Sequence, residues 1–272
     1  MENASKDVLF TIAMSLDLPS LLKWCQSSAR VNRAICQNDH VWRNKLLKDF
    51  PEGYPEYEKF ELHRSPREIY VFLYQLSYIK KLLNTDESLY DIFLRKEIDL
   101  SSKGLKQIPA FDLPNLQKLF LFNNNLTQVP AFDLPNLQVL DLIDNQLTKV
   151  PAFHLPNLQY LYLSANDLTE VPPFDLPNLR QLDLWNNRLR EVLPFDLPNL
   201  QKLSLFNNNL TQVPAFSLPK LEELNLSGNN LTEVPVFNLP NLRKLYLTEN
   251  NFTKRTKKEL KKKYKNMVVV EL

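Results

Sequence analysis

One stretch of this chain is written twice. LPNLQKLFLFNNNLTQVPAFD (113–133) returns as LPNLQKLSLFNNNLTQVPAFS (197–217). Between and beyond these two, the pattern LPNLxxLxLxxNxLTxVPxFD recurs every 21 residues, its opening leucine falling at 113, 134, 155, 176, 197, 218 and 239. A shorter first copy, EIDLSSKGLKQIPAFD (97–112), precedes them. A fixed period of this length limits the fold more than any other feature. Each copy is one small unit that buries its apolar side only by stacking on the next.

The residues say how a copy is built. In Leu116-Gln-Lys-Leu119-Phe-Leu121 the last two leucines are two apart, which puts both on one face of a strand and turns Phe120 the other way. An asparagine follows in every full copy: Asn124, Asn145, Asn166, Asn187, Asn208, Asn229 and Asn250. An inward asparagine must fill its hydrogen bonds, and backbone groups of adjoining turns can do so. The first copy has Lys103 there, as suits an atypical end. Of the 19 prolines, 15 lie between Pro109 and Pro240, on the return path of each copy. Fixed φ and a missing donor suit an extended outer wall. Phe111, Phe132, Phe153, Phe174, Phe195, Phe216 and Phe237 share one register and read as a core spine rather than a base-stacking platform. At Glu191-Val-Leu-Pro-Phe195 the proline slips by one, which predicts a local change in the outer wall without loss of a copy.

The core LxxLxLxxNxL resembles the leucine-rich repeat, whose period is ~20–29 residues. The resemblance covers residues 97–252, eight copies, and implies a solenoid with a parallel sheet on its concave face. Beyond Phe252, eight of the twelve residues from Lys254 to Lys265 are Lys or Arg. This segment reads as a capping helix, with Leu260 and Tyr264 sealing the last copy, followed by an edge strand over Met267–Leu272. A nuclear-import signal or a patch for an acidic partner is the other reading of the same charge.

Residues 1–96 have helical spacing instead. Val8, Leu9, Ile12, Ala13 and Leu16 mark one helix face. Leu21, Leu22, Trp24 and Cys25 suit a second helix, Val31, Ala34 and Ile35 a third, and Trp42, Leu46 and Leu47 another. Ser65-Pro-Arg-Glu68 is a capping box that predicts a helix to about residue 83. The expected architecture is therefore α+β: a helical domain (1–96), a leucine-rich repeat solenoid (97–252) and a C-terminal cap of helix and strand (253–272).

Within the helical part, DVLFTIAMSLDLPSLLKWCQSSARVNRAICQNDHVW (7–42) resembles an F-box. Leu18-Pro19-Ser20-Leu21-Leu22 matches the middle of that family's pattern, Arg30 and Arg33 its basic part, Trp42 its end, and Asp7-Val8-Leu9 its opening Glu-Leu-Leu. Ala4 and Ser5 stand where the family has Leu-Pro. The resemblance implies docking on a Skp-type adaptor of a cullin-based ubiquitin ligase through Val8, Leu9, Ile12, Leu16, Pro19 and Leu21. The following runs WRNKLLKDFP and SPREIYVFLYQL resemble post-F-box regions of proteins from giant viruses of amoebae, including the marseillevirus group. That implies action in a host cell.

Composition narrows the function classes. Lys plus Arg is 33 against 31 acidic residues, so net charge gives a nucleic-acid reading no support. Three glycines leave no Gly-rich phosphate loop or dinucleotide fingerprint. Cys25 and Cys36 are too few for a disulfide framework, and no Cys/His spacing resembles a zinc site. His40, His63 and His154 are scattered, and no nucleophile accompanies Asp141, Asp144, Asp183 and Glu223. No catalytic residue, metal site or cofactor is expected. No signal peptide or membrane-length apolar run is read, and Asn-Leu-Thr at 125, 209 and 230 reads as a by-product of the repeat. The expectation is an intracellular protein, cytoplasmic or nuclear, with no membrane partner, as a monomer or weak homodimer.

Binding is the class the strands favour. Their outward positions carry Phe120, Phe122, Ile143, Tyr160, Tyr162, Trp185 and Phe206, with Asp141 and Asp183 among them. A contiguous aromatic patch where polar residues are the default marks an interaction surface for a protein target. A binding scaffold or decoy with a degenerate F-box, self-associating through this face, is the alternative.

Overall fold

A computed structural model of the chain describes residues 4–264 and, in backbone only, 269–271. The chain falls into two units, Met1–Leu94 and Arg95–Leu272.

The first unit is helical, and its helices start where the sequence supplies side-chain acceptors. Ser5 accepts from the N–H of Val8 at 3.4 Å and opens α1 (Lys6–Ser15). Asp17 accepts from Ser20 at 2.9 Å and opens α2 (Leu18–Ser27). Ser28 heads a three-residue turn, α3 (Ala29–Val31), that runs on as a π-helical turn over Asn32–Cys36. The expected third helix is thus this composite. Asn38 opens α4 (Asp39–Asp49). The capping box forms as expected: Ser65 N–H donates to Glu68 Oε2 at 2.8 Å, and α5 runs Pro66–Leu83. A short α6 (Leu89–Leu94) closes the unit. Each cap satisfies a donor that the first helical turn leaves open, typically ~1 kcal/mol.

Leu9, Ala13, Leu21, Trp42, Leu46, Leu73, Leu76 and Ile79 form the core of this unit. The buried face of α4 runs Val41, Trp42, Lys45, Leu46. Leu47, expected with Trp42 and Leu46, is 56% exposed, because it sits a further 100° round the helix. Val8 likewise leaves the Leu9–Ala13 face and is 49% exposed. Phe60 packs edge-on to Phe72, Tyr90 and Phe93, with centroids 5.1–5.2 Å apart. Cys25 and Cys36, too few for a framework, form one disulfide, which ties α2 to the π-helical turn across a separation of 11 residues.

The second unit is the stacked repeat. Its strands are three residues long: β1 (Glu97–Asp99), β2 (Lys118–Phe120), β3 (Val139–Asp141), β4 (Tyr160–Tyr162), β5 (Gln181–Asp183), β6 (Lys202–Ser204), β7 (Glu223–Asn225), β8 (Lys244–Tyr246) and β9 (Val269–Glu271). All pair in parallel and in chain order. The middle residue of each repeat strand points inward, so Leu119, Leu140, Leu161, Leu182, Leu203, Leu224 and Leu245 form one buried row.

Behind that row each asparagine closes its turn. Asn166 Oδ1 accepts from Leu147 N–H at 3.0 Å, while its Nδ2 donates to the carbonyls of Leu142 (2.9 Å), Leu163 and Ser164 (both 3.1 Å). The same set of bonds recurs at Asn145, Asn187, Asn208, Asn229 and Asn250. At Asn124 the amide oxygen takes two donors, Lys103 N–H and Leu105 N–H. One residue before each asparagine, and before Lys103 of the first copy, the backbone turns left-handed: Ser102, Asn123, Asp144, Ala165, Asn186, Asn207, Gly228 and Glu249 all have φ between +52° and +64°. Asn, Asp and Gly tolerate this region best. At Gly228 a Cβ would also come within 3.2 Å of the Asn207 backbone.

The outer wall carries the phenylalanine spine. Phe111, Phe132, Phe153 and Phe174 stack with centroids 6.1–6.4 Å apart, and Phe195, Phe216 and Phe237 stack at 5.9–6.0 Å. Among the described residues the column breaks between Phe174 and Phe195, at the slipped proline, where Leu193 is 57% exposed. No repeat is lost there, since β5 and β6 keep their register. A second, exposed ladder joins the Leu-Pro-Asn corners: Asn136, Asn157, Asn178, Asn199 and Asn241 each donate to the proline carbonyl one repeat back at 2.7–2.8 Å.

At the far end, α7 (Lys254–Lys263) starts at Thr253 and buries Leu260 and Tyr264, with Lys254, Arg255, Lys258 and Lys261–Lys263 exposed. β9 extends the sheet. Met267, Val268 and Leu272 of the expected edge strand, and Lys265 of the basic run, lie outside the described residues.

The ladder sets a stability test. Asn166→Ala leaves a buried N–H and two or three carbonyls unpaired and should lower unfolding free energy by roughly 1–3 kcal/mol. Asn157→Ala removes an exposed bond that water replaces, so the urea midpoint should move far less.

Candidate functional site

The open face of the sheet follows from strand alternation. Residues either side of each buried leucine point outward, and the parallel register lines them up in columns. The first column reads Glu97, Lys118, Val139, Tyr160, Gln181, Lys202, Glu223, Lys244. The central column reads Asp99, Phe120, Asp141, Tyr162, Asp183, Ser204, Asn225, Tyr246. Two residues further on stand Phe122, Ile143, Ser164, Trp185, Phe206, Ser227 and Thr248.

Most expected binding residues come together here. Phe122 and Trp185 are 40% and 36% exposed, and Phe120, Ile143, Tyr160, Tyr162 and Phe206 are half-buried. Tyr160 and Tyr162 stack at 6.4 Å along their strand. Ser164 and Ser227, at the same register position as Phe122 and Trp185, are buried.

The carboxylates sit between the rings. Burial pushes the Asp141 carboxyl above its ordinary value; the Ile143 N–H that it accepts at 3.0 Å holds it back in part, and the Asp99 charge pushes it further up. Burial likewise raises Asp183, against partial relief from the neighbouring Ser164 hydroxyl, Trp185 amide and Ser204 hydroxyl. Neither the buried Asp183 Oδ1 nor Ser164 Oγ has a hydrogen bond of full geometry among the described residues. Tyr162 is raised by burial first, then by Tyr160 and the two flanking aspartates. In the first column, by contrast, Lys118 pairs with Glu97 at 3.0 Å and Lys244 with Glu223 at 3.3 Å. Among the described residues no ion pair reaches Asp99, Asp141 or Asp183, and no cluster of three or more His, Cys, Asp or Glu could hold a metal.

Elsewhere the expected residues scatter. His154 pairs with Asp175 at 2.8 Å on the outer wall. In the helical unit, Val8 and Pro19 are exposed, Ile12 and Leu16 half-buried, and Leu9 and Leu21 lie in the core. Sequence reading missed a network beside Leu16. Lys45, only 1% exposed, donates to Asp49 Oδ2 at 2.8 Å, and Tyr70 OH donates to the same oxygen at 2.6 Å. A hollow of about 410 Å³, bordered by Leu16, Lys45, Asp49, Tyr70 and Tyr74, opens there. The available signal was the spacing 41, 42, 45, 46, which gives Lys45 a core position on α4. Also missed was a polar hollow of about 360 Å³ at the strand entries, lined by Asn157, Gln159, Asn178, Arg180, Gln201 and Lys220 among others. The repeat consensus predicts its amides but not its role.

The half-buried carboxylates generate a pH test. A carboxyl whose folded pKa is raised costs stability when ionised, and the cost vanishes below its unfolded value. Asn225 occupies the same column and accepts Ser227 N–H at 3.0 Å, so asparagine fits the register. Asp141→Asn with Asp183→Asn should therefore raise the melting temperature at pH 7. The gain should shrink as pH falls through the raised carboxyl range, as read by thermal scans between pH 7 and pH 3.

Comparison with known proteins agrees with this geometry. The chain matches the family described as Leucine Rich repeats (2 copies) over residues 135–176, 156–197, 177–218, 198–238 and 219–261. It matches Leucine Rich Repeat over 115–137. No curated protein matches it. Among solved structures it is similar to a Shigella effector LRR domain, at 21% identity and TM-score 0.55, covering 80% of this chain and 92% of that one. It is also similar to YopM from Yersinia enterocolitica WA-314, at 29% identity and TM-score 0.49, over 60% of this chain and 34% of that one. An LRR protein of Leptospira interrogans gives 26% identity and TM-score 0.49, over 66% and 55%. This chain thus spans about a third and about half of the latter two. Repeat, sheet and matched families converge: the chain belongs to the leucine-rich repeat family.

Proposed function

We infer that this is a protein-binding chain whose solenoid captures a protein target on the open face of its sheet. One observation carries the reading: aromatic side chains from four of five successive repeats, with Ile143 in the other, crowd positions that solvent-facing strands normally fill with polar residues. The helical unit then acts as an F-box-like module that docks on a Skp-type adaptor, making the chain a substrate receptor of a cullin-based ubiquitin ligase. Support for the second half is the sequence pattern from Asp7 to Trp42 and a stripe on α1. Val8, Ile12 and Leu16 lie four residues apart, with Val8 exposed and the other two half-buried. Leu9 and Leu21, buried behind this stripe, support the helices rather than offering contact.

A scaffold with a degenerate F-box is the second reading. It is favoured by the start of α1, where Ser5 serves as a helix cap in place of the family's Leu-Pro.

Two measurements test these readings. Tyr162→Ala with Trp185→Ala should abolish target capture from lysate at an unchanged urea midpoint, since central aromatic anchors are worth ~2 kcal/mol or more each. Lys149→Ala with Glu170→Ala, an exposed outer-wall pair at 2.9 Å, should change nothing. A double aromatic variant that stays folded and keeps its targets removes the open face as the recognition site. The full chain should also co-purify with a Skp-type adaptor, and Val8→Asp, which leaves the core intact, should weaken that complex. No binding to several adaptors at tens of micromolar moves the assignment to the scaffold.

A further inference from the structure

The central column alternates in kind: Asp99, Phe120, Asp141, Tyr162, Asp183 on five successive strands. Neighbouring strands lie ~4.8 Å apart, so Asp141 and Asp183 stand about 10 Å apart with the Tyr162 ring between them. Burying a carboxylate without a partner is costly. The chain supplies lysines to Glu97 and Glu223 from adjacent strands, so cross-strand pairing is available to this sheet. The central column has aromatic neighbours instead, and among the described residues its carboxylates have only hydrogen bonds, with no lysine or arginine paired to them.

Resting on the reading of this face as the target site, we propose that it takes an extended basic segment of a protein partner, with lysine or arginine side chains seated on Asp141 and Asp183 and packed against the Tyr162 and Trp185 rings. Carboxylate and ring faces both attract cations, and together they select for them. A purely apolar segment would bury two carboxylates further without a counter-charge, and a nucleic acid would bring phosphates against them. The spacing also fits. A polyproline II segment rises ~3.1 Å per residue with three residues per turn, so every third side chain falls on one side at ~9.3 Å, close to the carboxylate separation.

The test uses the full chain and fluorescence anisotropy with a labelled peptide repeating Lys-Pro-Pro. Binding is expected, weakening with added salt, and a peptide repeating Glu-Pro-Pro should not bind. Asp141→Asn with Asp183→Asn should weaken the lysine peptide by about tenfold or more, and Tyr162→Ala should weaken it too. Asp133→Asn with Asp196→Asn, exposed on the outer wall, should leave it unchanged. Thermal scans check the fold, and Asp183→Ser, copying Ser204 of the same column, serves as a second variant. Equal affinity of parent and Asp141→Asn/Asp183→Asn, or no binding of the lysine peptide, overturns the proposal. Target capture separates this failure from a wider one. If Tyr162→Ala/Trp185→Ala loses the captured protein while Asp141→Asn/Asp183→Asn keeps it, the face is the site but the basic segment is wrong. If both keep it, the reading of the face itself falls.

Discussion

The asparagine amide inside each turn solves a problem that short strands create. Three-residue strands satisfy few backbone groups, and the chain must still bend sharply within each 21-residue repeat while buried. A buried N–H or C=O without a partner costs about as much as a lost hydrogen bond. One amide supplies both an acceptor and two donors, and at Asn166 it fills one N–H and three carbonyls. With the backbone satisfied from within, the leucine row and the phenylalanine spine can pack without polar side chains. The open face is then free of structural duty, and its residues vary while the inward ones do not.

How much was legible depended on whether a residue repeats. Leu119 and Leu121, Asn124 and Phe111 could be placed because the same chemistry returns at a fixed interval, and periodicity reports packing directly. The left-handed column was harder. Asn123, Asp144 and Gly228 signal it, but Ala165 and Glu249 do not, because tertiary closure there overrides local preference. In the helical unit each face is used once, and errors follow from that. Leu47 looked like core by type and is exposed, while Lys45 looked like surface and is buried because Asp49 and Tyr70 receive it. The F-box resemblance pointed to Leu9 and Leu21 as contacts, yet an apolar residue on a short helix serves the interior first. On the sheet, the aromatic patch was visible from alternation alone. The alternation of acid and ring follows from the same 21-residue period, but the burial that raises the Asp141 and Asp183 carboxyls does not, because it depends on how neighbouring side chains pack.

The open face carries a tension between stability and recognition. Asp141 and Asp183 are held where burial disfavours their charge. Asparagine or serine would sit there at less cost, as Asn225 and Ser204 do in the same column. Residues that weaken the free protein at a surface position are the ones a partner can reward, since binding then removes a penalty already present.

The amide ladder also governs how such a chain can change length. Asn145 reaches back 24 residues to Leu121 and takes a donor 19 residues away, Leu126, and these intervals recur at every step. Insertion or loss of one whole repeat leaves every interval intact, whereas a gain or loss of a few residues breaks two rungs at once. Copy number is therefore the natural unit of variation, and the near-identity of 113–133 and 197–217 is its imprint. Each added copy inserts a new row of outward side chains and shifts its neighbours along the sheet. A duplicated block can then diverge at exposed positions, as these twin segments have at Phe120 and Ser204 on the open face and at Asp133 and Ser217 on the outer wall.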